Sequence, residues 1–325
     1  MVDCIRGLLA QDYPSYEVHV VVDHVDDPAN TILNELLAEE QPQHVSVQIL
    51  ANPRSTCSLK CSSVVQAASS LDESYGFIAQ LDADTIPHPT WLRELATALA
   101  DERVGAATGN RWYMPDHITL ASMVRYIWNA AAVVQMYVYG IAWGGTLAVK
   151  TSVLRDTDLL EKWSNAFCED TMLYAFLKQH RLRVAFVPSL MMINRESCDL
   201  GGFYYWVRRQ LLTARLYHPA WPAVVGHGAI TFLAPLIALV ALVWSIIVGN
   251  SAAAMWFGAG FVLYQVSVAL MLPPVEHAIR GIAKARREPT RWLGLRGVLY
   301  YALAMPLTQL VYTTALGSAC LLRSV

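Results

Sequence analysis

The distribution of charged side chains constrains the fold of this 325-residue chain more than any other feature. Asp, Glu, Lys and Arg are absent between Arg215 and Glu276 and again between Arg296 and Arg323, whereas they occur throughout the first two hundred residues. Charged residues make up 15% of the chain, well below the roughly 25% of ordinary soluble domains. The sequence therefore predicts a globular domain followed by a membrane-embedded tail.

The apolar tail has room for three membrane spans. Residues 223–248, 251–272 and 297–322 are each long enough to cross a hydrocarbon core of about 30 Å, and Gly249-Asn250 predicts a tight hairpin between the first two. The positive-inside rule places the loop between the second and third spans, and with it the globular domain, in the cytoplasm. That loop carries Glu276, Glu288 and the cations Arg280, Lys284, Arg286, Arg287, Arg291 and Arg296, together with Trp292. This mixture also suits contact with an anionic membrane surface.

The first two hundred residues alternate between strand and helix patterns. Strands are predicted at residues 17–22, 44–50, 76–81, 104–108, 145–149 and 182–187. Helices are predicted at residues 1–10, 28–40, 59–69, 89–100, 152–163, 170–180 and 202–217, and an interfacial or packed helix at 118–140. This order predicts an α/β fold, Rossmann-like with a mostly parallel sheet, followed by a C-terminal bundle of transmembrane helices. Ligands bind at the carboxyl ends of strands in such sheets.

Composition argues against one class of partner and one class of metal site. A net charge of −2 lacks the basic surface that nucleic acid requires, so no nucleic-acid partner is expected. The six cysteines lack the paired C-x-x-C spacing of a zinc site, and we interpret them as reduced thiols.

Asp82-Ala83-Asp84 directly follows the third predicted strand. Two carboxylates one residue apart at the end of a buried strand are suited to hold a divalent cation that bridges a diphosphate. The alternative is structural, because acidic residues also cap helices and occupy turns. The strand context favours the metal site.

Further acidic residues occupy positions suited to ligand binding or catalysis. Asp23 ends the first strand, where a carboxylate accepts hydrogen bonds from a nucleotide, although a turn residue is an equal alternative. Glu169 and Asp170 precede a helix, and a carboxylate here is a candidate base for an acceptor hydroxyl. An N-cap with acidic first-turn residues is the alternative for this pair.

Cations for a diphosphate leaving group are also available. The candidates are Lys60 and a cluster in the last predicted helix of the globular region, Arg208, Arg209 and Arg215. Each has an ordinary surface or membrane-interface role as its alternative.

Together these motifs resemble those of the family 2 glycosyltransferases of the GT-A fold, and are most similar to the ceramide glucosyltransferase branch. The resemblance covers about two hundred residues. Its motifs here are Gln11-Asp12-Tyr13-Pro14, Val20-Val21-Val22-Asp23, Asp82-Ala83-Asp84 and Cys168-Glu169-Asp170.

The resemblance implies a role for each of these positions. Asp23 would contact the nucleotide, Asp82 and Asp84 would hold Mg2+ or Mn2+, and Asp170, beside Glu169, would be the base of an inverting transfer. Lys60 resembles the donor-site lysine of the family. The segment Trp143-Gly144-Gly145 resembles the glycine-rich segment on the acceptor side, and Arg209 and Gln210 fall where the family has its Q/R-x-x-R-W element.

The sequence departs from the family in two places. The Arg-Trp pair of that element is replaced by Leu212-Thr213. The opening strand of the family, expected before the first helix, is not in this sequence, so we expect a misplaced gene start or an incomplete fragment. The expected domains are a nucleotide-sugar-binding half at 1–115, an acceptor-side half with interfacial helices at 116–219, and a transmembrane region at 220–325.

The leading hypothesis is transfer of a hexose from a UDP-sugar to a lipid hydroxyl, with the lipid acceptor entering from the bilayer beside residues 118–140. A processive polysaccharide synthase is a second hypothesis, but it calls for more spans and an intact Arg-Trp pair. A catalytically degenerate membrane scaffold is the third.

Overall fold

The computed structural model describes residues 1–290 and 294–322, in which the chain divides into two compact units. The first unit comprises Met1–Arg111 and Gln135–Ile193. The second comprises Trp112–Val134 and the chain from Asn194 onward.

The strands follow the predicted pattern closely. They are β1 Val18–Val22, β2 Val45–Ile49, β3 Phe77–Leu81, β4 Val104–Thr108, β5 Arg111–Tyr113, β6 Thr146–Lys150, β7 Arg183–Phe186 and β8 Met192–Asn194. The six predicted strands are confirmed to within one residue at each end. Strands β5 and β8 were not predicted, because three residues are too few to establish an alternating pattern.

The helices also match the sequence pattern. They are α1 Val2–Leu9, α2 Pro28–Glu40, α3 Leu59–Ser69, α4 Trp91–Leu99, α5 Leu120–Tyr139, α6 Thr151–Asp156, α7 Leu159–Trp163, α8 Leu173–Gln179, α9 Leu200–Tyr217, α10 Trp221–Ile247, α11 Ser251–Ala285 and α12 Leu295–Leu321. The single helix predicted at 152–163 is two helices, α6 and α7, because the chain is extended at Thr157. A short 3-10 turn lies at Pro188–Leu190.

The sheets of the first unit are mixed, so the predicted mostly parallel sheet is confirmed only in part, because β6 runs against its neighbours. Strands β1 and β2 pair in parallel, and a four-stranded sheet has the order β3-β6-β4-β7. Strand β6 runs antiparallel to both β3 and β4, whereas β4 and β7 are parallel. A β-branched pattern predicts that a segment is a strand but carries no information about its direction. The direction of β6 therefore had to come from the tertiary structure.

The four-stranded sheet separates two apolar cores of the first unit. Leu147 and Val149 of β6 pack in one core with Trp163, whereas Ala148 between them packs in the other core with Trp91. This alternation is the expected consequence of successive side chains on a strand pointing to opposite faces. Residues on both faces of β6 are fully buried, so β6 is a central strand covered by both cores.

The second unit is helical, and its helices are joined by hydrogen bonds from side chains to backbone. Tyr312 of α12 donates to Val224 O of α10 at 3.1 Å, and Tyr264 of α11 donates to Thr231 O of α10 at 3.0 Å. The predicted hairpin between α10 and α11 is confirmed. Gly249 has a φ of +69°, and the side chain of Asn250 caps α11.

Among the described residues, α10 and α11 are long and apolar enough to cross a membrane. In the most apolar window of each helix, only 11% of the residues of α10 and 0% of those of α11 are buried. The core helix of a soluble protein would be mostly buried, so this exposed apolar surface favours a lipid environment. The third predicted span lies on α12, whose Tyr, Thr and Gln residues lower its hydropathy, and it stays a prediction.

The loop predicted after the second span is largely helical. Helix α11 continues through Pro273 and Pro274 to Ala285, so Arg280 and Lys284 lie on the helix rather than in a loop. Proline breaks helices in water, but neighbouring groups in a helical bundle satisfy the backbone groups that it frees. Arg291 and Trp292, also assigned to this loop, lie outside the described residues.

Candidate functional site

The antiparallel direction of β6 brings three chain segments together at one edge of the four-stranded sheet. Leu81 at the end of β3 pairs with Thr146 at the start of β6, and Thr108 at the end of β4 pairs with Leu147. The residues after β3, the residues after β4 and the residues before β6 therefore meet. These segments carry Asp82, Arg111 and Gly144.

Buried hydrogen bonds fix the segment before β6. Thr108 Oγ1 accepts from the backbone N–H of Trp143 at 3.0 Å and donates to the backbone oxygen of Thr146 at 3.0 Å. Trp91 Nε1 donates to Thr146 Oγ1 at 2.7 Å. Because both threonines are fully buried, the turn that holds Trp143 is anchored to the core.

Asp82 lies between two cations. Its Oδ1 is 2.6 Å from Nζ of Lys60, and its Oδ2 is 3.4 Å from Nη2 of Arg111. The guanidinium of Arg111 also lies over the ring of Trp143, 4.9 Å from its centroid. Asp82, one of the two carboxylates predicted to bind a metal ion, is therefore paired with two cationic side chains.

Lys60 also bridges to a second, buried carboxylate. Its Nζ is 2.8 Å from Glu169 Oε1, and the Glu169 side chain is only 3% exposed. Burial and the neighbouring Asp170 raise the pKa of Glu169, and Lys60 counteracts this shift. Burial alone lowers the pKa of Lys60, but Glu169 and Asp82 outweigh it and the net shift is upward. The two carboxylates therefore keep Lys60 charged in the first turn of α3.

Asp170 is held by backbone and hydroxyl donors. Its Oδ2 accepts from the backbone N–H of Gly144 at 2.8 Å, and its Oδ1 accepts from Thr171 Oγ1 at 2.9 Å. Helix α8 begins only at Leu173, with Met172 as its N-cap residue. The N-cap alternative for Asp170 is therefore wrong, and its side chain points to the Trp143-Gly144-Gly145 turn.

The two glycines of that turn are required by close approaches. A Cβ on Gly144 would overlap Oε1 of Glu169 and lie 2.8 Å from Nζ of Lys60. A Cβ on Gly145 would overlap the ring of Trp143. Only glycine lets the backbone pass this close to the buried carboxylate. Gly144 is thus part of the charged cluster that Asp82, Lys60, Glu169 and Asp170 form.

Asp84 is the second carboxylate of the predicted metal-binding pair and follows Asp82 by two residues. It is exposed and accepts from Thr85 Oγ1 at 3.3 Å. Within residues 1–290 and 294–322, no group of three His, Cys, Asp or Glu residues forms a metal-binding cluster. Mg2+ and Mn2+ commonly take one or two protein carboxylates and complete their coordination with water and substrate phosphate oxygens. Asp82 and Asp84 fit that requirement.

The other predicted residues lie after β1 in the first unit and on α9 of the second unit. Asp23 is exposed directly after β1. Arg209 is exposed and Gln210 half-buried on α9 of the second unit. Their predicted contacts with a nucleotide donor stay predictions. Arg215 has a structural role, since its Nη1 donates to the backbone oxygens of Ala319 and Leu322 at the end of α12.

Sequence reasoning missed Arg111. It is the first residue of the unpredicted strand β5 and follows β4 by only two residues. The signal available in the sequence was the position of Arg111 just after the carboxyl end of β4, because ligands bind at the carboxyl ends of strands in an α/β sheet.

Comparison with known families identifies the chain as a glycosyltransferase. The family model described as glycosyl transferase family 21 matches residues 2–294. The chain therefore belongs to glycosyl transferase family 21, a family of the family 2 type that the motifs predicted. The narrower ceramide glucosyltransferase branch stays a prediction.

Two further comparisons add little. A search of curated proteins finds no significant match. Among solved structures, a crystal structure of S. aureus TarS 1-349 is similar with a TM-score of 0.40 and 14% identity, covering 97% of this chain and 86% of that chain. At this TM-score the similarity does not define the fold, and the GT-A assignment stays a prediction.

Proposed function

We propose that the protein is a membrane glycosyltransferase that moves a hexose from a UDP-sugar to a lipid hydroxyl, with inversion at the anomeric carbon and with a divalent cation. The single observation that carries this proposal is the cluster of Asp82, Lys60, Glu169, Gly144 and Asp170 at one edge of the sheet. The cluster combines carboxylates that could hold a metal ion or act as a base with one lysine suited to a diphosphate.

Asp170 is the proposed base. It takes the proton of the acceptor hydroxyl as the hydroxyl oxygen attacks the anomeric carbon of the donor. The bond from that carbon to the diphosphate oxygen breaks, and the nucleoside diphosphate leaves with the bonding electrons. The hydrogen bonds from Gly144 and Thr171 keep the carboxylate of Asp170 in a fixed orientation for this step.

Asp82 and Asp84 are the proposed ligands of Mg2+ or Mn2+, which would neutralise the negative charge that develops on the diphosphate. Lys60, held between Asp82 and Glu169, contributes positive charge at the same place. Asp23 is proposed to contact the uridine of the donor. Arg209 and Gln210 are proposed to contact the leaving group, as the resemblance implies.

The proposed acceptor is a lipid because the second unit favours a bilayer. Helices α10 and α11 expose long apolar surfaces that only lipid tails would cover without cost. The cations Arg280, Lys284, Arg286 and Arg287 near the end of α11 favour the cytoplasmic side for that end. We propose that the α/β unit also lies in the cytoplasm.

The test is a transfer assay on the purified full-length chain in lipid vesicles with Mn2+, a panel of UDP-hexoses and lipid acceptors. Asp170→Asn is expected to lower kcat by roughly 100-fold or more while leaving UDP binding intact. Asp84→Asn is expected to weaken both UDP binding and turnover. Asp26→Asn, a change at a carboxylate whose side chain is 86% exposed, is the matched control and should leave both unchanged.

The assay also separates the alternatives. A processive synthase would give a ladder of polysaccharide products instead of a lipid that carries a single hexose. A scaffold would neither hydrolyse nor transfer any sugar of the panel, and that result from a folded protein would refute the proposal.

A further inference from the structure

Arg111 is placed where a bound cation would otherwise interact with Asp82. Its side chain is only 14% exposed, it reaches Asp82 Oδ2 at 3.4 Å, and it stacks on the ring of Trp143. With Lys60 on Oδ1, both carboxylate oxygens of Asp82 face a protein cation. A divalent cation and the two side chains therefore compete for one carboxylate.

The two protein cations are not equally able to leave Asp82. Lys60 is also paired with Glu169, and moving it would leave that buried carboxylate without its counter-ion. An uncompensated buried charge is strongly destabilising. Arg111 makes the longer of the two contacts with Asp82, and its guanidinium has five N–H donors with which to bind other acceptors. These contacts favour Arg111 over Lys60 as the side chain that leaves Asp82.

We propose that Arg111 occupies the place of the divalent cation at Asp82 in the empty enzyme, and that it transfers to the diphosphate of the donor when cation and donor bind together. This inference rests on the proposed function, since it assumes a diphosphate donor at this site. The planar guanidinium suits the geometry of phosphate oxygens, and it lies over the ring of Trp143, 4.9 Å from the ring centroid.

The exchange couples the two ligands. A divalent cation that binds alone has to displace Arg111 from Asp82 and brings no anion to which Arg111 could transfer. Binding of the divalent cation alone is therefore weak. The diphosphate offers that acceptor, so each ligand strengthens the binding of the other. The same side chain therefore opposes metal binding and favours nucleotide binding.

The experiment measures equilibrium binding on the full-length chain in detergent, with Mn2+ binding followed by electron paramagnetic resonance and UDP binding by calorimetry. Arg111→Gln is expected to bind Mn2+ alone about fivefold more tightly than the wild type, because a competitor is removed. It is expected to bind UDP in the presence of Mn2+ about fivefold less tightly. A side chain that merely stabilised the fold would weaken both.

Arg183→Gln is the matched control, because Arg183 pairs with a different aspartate, Asp101, at 2.8 Å in the same unit. It should change neither affinity. Unchanged or weaker Mn2+ binding by folded Arg111→Gln would overturn the role of Arg111 while leaving the proposed function standing. A wild-type protein that binds neither Mn2+ nor UDP would overturn the proposed function and this inference with it.

A second measurement needs no variant. Wild-type protein titrated with Mn2+ in the presence of saturating UDP is expected to bind Mn2+ at least about tenfold more tightly than without UDP. Equal affinities in the two titrations would overturn the coupling.

Discussion

Lys60 and Glu169 form an ion pair of 2.8 Å in which the carboxylate is buried and the ammonium is partly exposed. The pair joins the start of α3 to the segment before α8, two parts of the chain more than a hundred residues apart. Because the same ammonium also reaches Asp82, this contact links the structural core to the proposed metal carboxylate.

Lys60→Met is expected to lower the free energy of unfolding by about 2–4 kcal/mol, because it leaves Glu169 as an unpaired buried charge. The double variant Lys60→Met/Glu169→Gln should recover part of that loss, since the buried charge is then removed. The upward-shifted pKa of Lys60 means that the ammonium loses its charge only at strongly alkaline pH, whereas on the acid side the ion pair is lost as the pH falls through the raised pKa of Glu169. Denaturant unfolding in detergent measures these values.

Lys162→Met provides the control for that series. Lys162 pairs with Asp158 at 3.6 Å, and both side chains are about half exposed. Removal of such a surface pair is expected to cost at most about 1 kcal/mol. A double variant that is less stable than Lys60→Met would contradict the buried-charge explanation.

Gly144→Ala is expected to disrupt the charged cluster, because the new methyl group would overlap Glu169 and approach Lys60. Overpacking of this kind costs about 1–3 kcal/mol, and the displaced carboxylate should also weaken UDP binding. Gly76→Ala is the matched control, since nothing lies within 4 Å of the position that its new methyl group would take. Thermal unfolding and UDP calorimetry would measure both effects, and equal behaviour of the two variants would refute this role of Gly144.

Glu276 is expected to be a stabilising acceptor within the second unit. Its Oε2 accepts from Tyr126 at 2.7 Å and from Trp112 Nε1 at 3.1 Å, and its Oε1 lies 2.6 Å from Arg280. Glu276→Ala should lower the free energy of unfolding by about 2–3 kcal/mol, because two buried donors lose their acceptor.

The control for Glu276 is Glu288→Ala, at a carboxylate 3.4 Å from Arg286. A smaller loss is expected there, because within the described part of the chain the Glu288 pair involves no buried tryptophan or tyrosine donor. Denaturation of both variants in the same detergent makes the comparison, and equal losses would contradict the importance of the Glu276 acceptor.

Cys4 and Cys61 are expected to resist alkylation in the folded protein. Burial raises the pKa of Cys4 to about 11 and that of Cys61 to about 12. At pH 8 both thiols are therefore protonated and poorly nucleophilic. Mass spectrometry after iodoacetamide treatment should find them unmodified in detergent and modified after unfolding in SDS. Rapid labelling of either thiol in the folded state would contradict this expectation.

Local patterns in the sequence were sufficient to predict most of the elements and some of the site. Pro28 at the start of α2 and the β-branched run of β1 have short-range causes, so their positions followed from neighbouring residues. The position of Asp82 at the end of the strand Phe77–Leu81 was predictable for the same reason. The three-residue strand β5 was not, and Arg111 was missed with it.

The sequence by itself determined most of the helices and strands, where the carboxylates of the site lie along the chain, and that the tail is apolar. The tertiary structure decided that β6 runs antiparallel between β3 and β4, and that the segments carrying Gly144 and Arg111 thereby meet the segment carrying Asp82. The physical reason is the distance along the chain over which each effect acts. Periodicity and turn chemistry act over a few residues, whereas the direction and neighbours of a strand depend on segments far away in the chain, whose packing no local pattern records.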